Sequence, residues 1–254
     1  MKPLRDIAVR HVHQWIQNLV ARGVEAWVAR QRDLRLLQFG ANDGVMADPV
    51  HDIVKKPHVH SVLVEPVPHV FDRLEATYRL YPQVRCLKLA VVPDEETTSV
   101  DFFVLKPREG FEFDDLYSGW SSTRREHLEK FRQYVRNFDE LLCCEQVPSV
   151  TVNRLFQMSG WPTLDLLQID VEGLDVEIVG SIDFTTWRPR LIRFEHMHSH
   201  REPLYKLLHR LRGLGYHTFS SGFDTTCVQE ADLRDFRWLW WIGKLHPAWL
   251  WPPR

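Results

Sequence analysis

The sequence predicts an α/β domain built on a mostly parallel sheet with helices on both faces. Two observations carry this. Short apolar runs suited to buried strands alternate with stretches of helical periodicity. The 254 residues also hold no internal repeat, low-complexity tract or linker-like segment, so they suffice for one large domain with a substantial core.

The elements follow in order. Residues 4–31 read as a helix, with Ile7, Val12, Ile16, Leu19, Val20, Val24 and Val28 at roughly helical spacing. Residues 34–39 read as a strand, 45–56 as a helix or loop, and 61–64 as a second strand. A helix over 68–81 places Val70, Phe71, Leu74 and Tyr78 on one face. Residues 84–92 read as a third strand, with an alternating strand at 99–105 beside it. The stretch 106–122 has no periodicity and reads as a long loop, followed by a charged helix over 123–140. A short strand at 147–152 leads to a helix ending near Gly160. Strands at 164–169 and 190–194 alternate with helices at 176–182 and 203–214, and strands at 216–220 and 225–229 finish the pattern.

The totals narrow the function. A net charge of −2 gives no field favouring nucleic acid or an anionic membrane. No apolar run approaches a membrane span, and the start has no clean signal-peptide core. The four cysteines form no C-x-x-C pair, so the usual zinc spacing is missing and a cytoplasmic setting with free thiols is expected.

In an open parallel sheet, ligands bind at the carboxyl ends of the strands, where strand order reverses. The predicted ends are 40–44, 65–66, 90–92, 170–173 and 195–196, and four of the five carry an acid. In LLQFGANDG, Gly40 and Gly44 permit backbone angles barred to other residues and close ligand approach, although a plain strand-to-helix turn has the same composition. Glu65, 25 residues after Gly40, suits two ribose hydroxyls. Asp170 and Glu172 in IDVEG suit substrate orientation, general-base work or a hard cation, while Glu172 equally suits the next helix's N-terminus. No further ligands stand out, so no metal is expected. The loop lacks G-x-G-x-x-G. Asn42 offers donors and acceptors and Asp43 favours a cation, which suits S-adenosylmethionine better than a dinucleotide.

The segments LLQFGANDG, LVEP, LKLAVV, SGWSS and LDLLQIDVEGLDVEIVGSIDF, in this order, resemble the FkbM family of S-adenosylmethionine-dependent methyltransferases over about residues 34–229. The resemblance implies a class I methyltransferase (Rossmann-like) fold: a mostly parallel seven-stranded sheet with a reversed final strand. It implies cofactor contacts at Gly40, Asn42, Asp43, Gly44, Glu65 and Pro66, with Ala90 and Val91 near adenine. Ser121 and Ser122 are expected toward the cofactor's amino-acid end, and Asp170 is expected to help position the cofactor. Family members mostly methylate hydroxyl oxygens, so O-methylation of a small molecule is expected, with Asp170, Glu172 and His196 as candidate bases. A silent cofactor-binding module and a nicotinamide-dependent oxidoreductase are the alternatives. Gln38 and Phe39 stand where the family often has Val-Asp or Val-Gly.

Phe111, Phe113, Tyr117 and Trp120, with Glu112, Asp114 and Asp115, either cover a substrate or pack their own loop. The expected organisation is a helical extension over 1–33, a methyltransferase domain over 34–230 and a Trp-rich tail over 231–254. The tail carries Trp238, Trp240, Trp241, Trp249 and Trp251 and is expected to pack on the domain or at a homodimer interface.

Overall fold

In the computed structural model, residues 2–171, 173–197, 199–221 and 223–238 are described, with side chains from residue 15 onward except residue 221. Helix α1 (Lys2–Ala29) leads into strand β1 (Leu34–Phe39). Then come α2 (His51–Val54), β2 (Val59–Val64), α3 (Pro68–Tyr78), β3 (Val84–Leu87), β4 (Ala90–Val92) and β5 (Ser99–Leu105). A 3₁₀ turn (Asp115–Gly119), α4 (Arg125–Glu129), a second 3₁₀ turn (Arg132–Tyr134) and α5 (Phe138–Leu141) precede β6 (Leu142–Thr151). The chain continues through α6 (Val152–Ser159), β7 (Leu166–Ile169), α7 (Asp175–Ser181), β8 (Leu191–Glu195), α8 (Arg201–Gly213), β9 (Tyr216–Ser221), β10 (Asp224–Gln229) and a last 3₁₀ segment (Glu230–Phe236).

Seven strands form one sheet in the order β3-β2-β1-β7-β8-β10-β9. β10 alone is reversed, pairing antiparallel with both β8 and β9. This is the class I methyltransferase sheet that the resemblance implied. β1, β7 and β8 are buried along almost their whole length and mostly apolar, as strands covered by two helical layers must be. One face packs on α6, α7 and α8 through Phe39, Leu167, Ile192, Phe156, Val179 and Leu208. The other packs on α1, α2 and α3 through Leu36, Leu166, Leu191, Trp27, Ile53 and Leu74. Local chemistry sets several boundaries. Pro68 opens α3, the Thr151 hydroxyl accepts from the Arg154 N–H at the start of α6, and Gly160 closes α6 in the left-handed region.

Three predicted elements differ. The strand over 84–92 is two strands in two sheets: β3 pairs with β2, whereas β4 leaves to pair with β6. β6 is longer than the predicted 147–152, because its residues 142–148 also pair antiparallel with β5. A continuous apolar run records burial but not a change of partner. The charged helix over 123–140 is broken into α4, a 3₁₀ turn and α5. Asn137 takes a left-handed conformation, and the segment bends around an aromatic cluster in which Phe131 stacks on Trp120 with centroids 4.2 Å apart.

The amino edge of the sheet is locked by charge. Arg190 donates to Asp232 through Nε at 3.0 Å, to Asp165 at 3.2 Å and to Gln31 at 3.0 Å, and lies over the Trp27 ring. Trp27 Nε1 donates to the same Asp232 at 3.0 Å. Burial alone would raise the Asp232 carboxyl, but Arg190 and Trp27 outweigh it and hold it below its ordinary value. Trp238 packs on α1 at Gly23, where a Cβ would sit 2.8 Å from its ring. Trp240, Trp241, Trp249 and Trp251 lie outside the described residues, as do the side chains of Ile7 and Val12. Among the described residues no helix is long and apolar enough to cross a membrane. Arg190→Ala strands two acids and is expected to lower unfolding free energy by about 2–3 kcal/mol in urea denaturation.

Candidate functional site

β1 is flanked by β2 on one side and β7 on the other, so the chain leaves these strands in opposite directions and opens a crevice at their carboxyl ends. A cavity of about 320 Å³ occupies it. Gly40 forms one side of its floor with φ +70°. A Cβ there would lie 1.7 Å from the Asp170 carbonyl oxygen, so the ends of β1 and β7 approach this closely only with glycine.

Glu65, at the end of β2, is buried beside the cavity. Its Oε2 accepts the Asn42 N–H at 2.9 Å and its Oε1 accepts the Val67 N–H at 2.9 Å. Burial pushes its pKa up to about 7, with the two backbone N–H groups and Arg73 pulling down and Asp43 pushing up. Asn42 takes φ +50°, and its Oδ1 accepts the Asp43 N–H at 2.8 Å. The loop after β1 is therefore held in a shape that an unanchored chain would leave.

The predicted site residues are distributed unevenly. Gly40, Asn42, Glu65, Pro66, Ala90, Val91, Ser121 and Asp170 all line the cavity. Asp43, Gly44 and Ser122 do not. The Asp43 carboxylate accepts from the N–H groups of Val45 and Met46, closing a turn. The Gly44 carbonyl accepts from the Tyr78 hydroxyl at 2.9 Å. Ser122 is buried, exchanges backbone hydrogen bonds with Phe103 and accepts the Arg124 N–H. His196 also lies away from the cavity lining. Its Nδ1 is 3.0 Å from the Thr225 hydroxyl, and burial pushes its pKa down to about 4. Glu172 lies outside the described residues.

An apolar wall of Ala90, Val91, Val92, Val100 and Phe102 closes the side beyond Glu65. The 3₁₀ turn Asp115–Gly119 covers the cavity with Leu116, Ser118 and Gly119. Asp114 caps that turn by accepting the Leu116 N–H, and Arg73 ties it to α3 through Asp115 at 2.9 Å. Of the loop aromatics, Trp120 reaches the cavity, while Phe111, Phe113 and Tyr117 pack in a local cluster with Phe131.

The polar residues of the cavity outside the sequence-based expectations include Gln38, Asp48 and Gln168. Gln38 donates to Asp48 at 3.0 Å, and burial pushes the Asp48 carboxyl up to about 6. Gln38 Oε1, Asp48 Oδ2 and Gln168 Oε1 are buried without partners. The available signal was the repeated Leu-Leu-Gln in LLQF and LLQI, a glutamine at the same place in two otherwise apolar strands. Among the described residues, no three His, Cys, Asp or Glu side chains converge to hold a metal.

A family model described as "Methyltransferase FkbM domain" matches residues 38–218. No curated protein matches the chain. Among solved structures, precorrin-6y C5,15-methyltransferase from Geobacter metallireducens is 11% identical with a TM-score of 0.42, over 81% of this chain and 84% of that one. Fibrillarin from Aeropyrum pernix, solved with natively bound S-adenosyl-L-methionine, is 13% identical with a TM-score of 0.38, over 78% and 66%. Gly40→Ala is expected to cost on the order of 3 kcal/mol in chemical denaturation, from its positive φ and the collision with Asp170.

Proposed function

The chain belongs to the FkbM methyltransferase family, and we propose that it moves a methyl group from S-adenosylmethionine to a hydroxyl oxygen of a small molecule. The observation that carries the cofactor reading is the buried Glu65 carboxylate facing the glycine-lined loop after β1, with an apolar wall beyond it. Vicinal ribose hydroxyls are donors suited to one carboxylate. Ala90, Val91 and Phe102 supply the flat apolar surface that a purine needs. The unpartnered acceptor oxygens of Gln38, Asp48 and Gln168 suit an ammonium group, which has three donors and no acceptor. Asn42 and Ser121 add polar groups on the remaining sides. The residues present thus match the ribose, the purine and the ammonium group of the cofactor.

When bound, S-adenosylmethionine supplies an electrophilic methyl group on a sulfonium. The chain's own contribution is alignment and proton removal. Gly40 and Asp170 fix the distance between two strand ends, and the 3₁₀ turn covers the cavity from water. Asp170 lies in the cavity wall, where its carboxylate can take the acceptor's hydroxyl proton as the new carbon–oxygen bond forms. An acid that accepts hydrogen bonds favours an O–H acceptor. A nicotinamide-dependent reaction is disfavoured by the missing phosphate-binding glycine pattern.

Methyl transfer from labelled S-adenosylmethionine to a panel of hydroxylated metabolites tests the reading. Asp170→Asn is expected to lower turnover by about 100-fold or more while changing cofactor affinity little. Full turnover in that variant removes Asp170 as the base. Absence of transfer to every acceptor, with cofactor bound, favours the silent module. Because the ionised form of Glu65 accepts the ribose hydroxyls, cofactor affinity is expected to fall as the pH drops through 7, by at most about tenfold per unit. Glu65→Gln is expected to abolish that slope in calorimetric titrations.

A further inference from the structure

The cavity glutamines Gln38 and Gln168 continue across the sheet into a polar row whose far members, Arg193 and Thr226, the proposed reaction leaves unused. Gln38 of β1, Gln168 of β7, Arg193 of β8 and Thr226 of β10 stand in register across four strands. Arg193 is only 5% exposed, and its Nε and Nη1 have no partner. Its Nη2 points toward the carboxyl edge, 3.9 Å from Asp224 Oδ2. One step nearer that edge, Glu195 sits directly opposite Asp224. Asp170, one residue past the pairing of Ile169 with Phe194, flanks Glu195.

Three acids at adjacent cross-strand positions repel one another. A buried guanidinium with incomplete pairing is costly too, and an apolar side chain would fill its place at lower cost. Each half of this arrangement is unfavourable alone, and the two offset each other electrostatically. Among the described residues, the charged groups acting on Arg193 are Asp224 from β10 and Asp48 from the loop after β1. From α1 comes the uncharged Gln17, whose Nε2 lies 3.4 Å from Asp224. Burial raises the Asp224 carboxyl and Arg193 opposes that rise.

We propose that Arg193 is a positioning residue, which holds Asp224 ionised at the end of the Asp170–Glu195–Asp224 edge and so keeps that edge a hydrogen-bond-accepting rail for an uncharged, polyhydroxylated methyl acceptor. The acceptor class rests on the methyltransferase reading; the electrostatic role of Arg193 does not. A hydroxyl donates to such an edge, whereas a carboxylate or phosphate on the acceptor meets three like charges.

The test uses the full chain with ¹³C-labelled Asp and Glu carboxyls, titrated by NMR. Arg193→Met is expected to raise the apparent pKa of at least one edge carboxyl by about one unit, tenfold in its acid constant, and Arg193→Lys to restore it. A Met variant that melts cooperatively and titrates like the wild type overturns the proposal. Should that variant not fold, Asp224→Asn takes its place. Removing one of the three charges is expected to lower the apparent pKa of Glu195, and an unchanged value overturns the proposal. S-adenosylmethionine calorimetry on the wild-type sample separates the two readings. Failure to bind defeats the cofactor assignment and leaves the outcome of the carboxyl titration unaffected.

Discussion

One buried carboxylate fixes the shape of the cavity. Glu65 accepts the backbone N–H of Asn42 from the loop after β1 and that of Val67 at the entry to α3. Two loops that meet only at the sheet's edge are thereby held at a set distance. The left-handed backbone at Asn42 persists because this bond over-determines it. The cost is visible in the acid itself, whose pKa burial carries to about 7. Since the folded chain holds that proton more tightly than an unfolded one, Glu65 subtracts stability as pH rises from about 4.5 to 7. Under the proposed function, ribose hydroxyls donating to the ionised form recover part of that loss.

The two edges of the sheet divide the work. At the amino edge, Arg190 joins α1, β7, β8 and the segment after β10 in one charged network, and its groups are well paired. At the carboxyl edge, polar groups are left short of partners: Gln38, Asp48, Gln168 and Arg193. Buried polar atoms normally find partners, and under the proposed function the unsatisfied ones of Gln38, Asp48 and Gln168 are the groups that the cofactor would pair. Gly40 marks the boundary between the two regimes. It lets β1 continue as a packed strand and then brings its end against Asp170.

Much of this was legible in the residues. Apolar runs bounded by turn residues placed most of the strands, because a strand buried on both faces must be mostly apolar. That Gly40, Glu65 and Asp170 line one crevice followed from position, since the carboxyl ends of parallel strands meet there. Partner choice was not legible. Residues 84–92 are equally apolar whether they serve one sheet or two, and only the pairing of β4 with β6 shows the break. Side-chain direction was equally hidden. Asp43 and Ser122 bond to local backbone, and His196 turns to Thr225, because their nearest partners lie outside the cavity. Gln38 and Gln168 are hard to single out because polar residues within apolar strands look like interruptions until the register sets them side by side.

The most direct measurement is the carboxyl titration of Glu65 followed by NMR, with and without S-adenosylmethionine. A free value near 7 that falls below about 6 on saturation is the expected result, because hydroxyl donors favour the ionised acid. A Glu65 titration that does not move in the presence of saturating cofactor contradicts the assignment of this cavity.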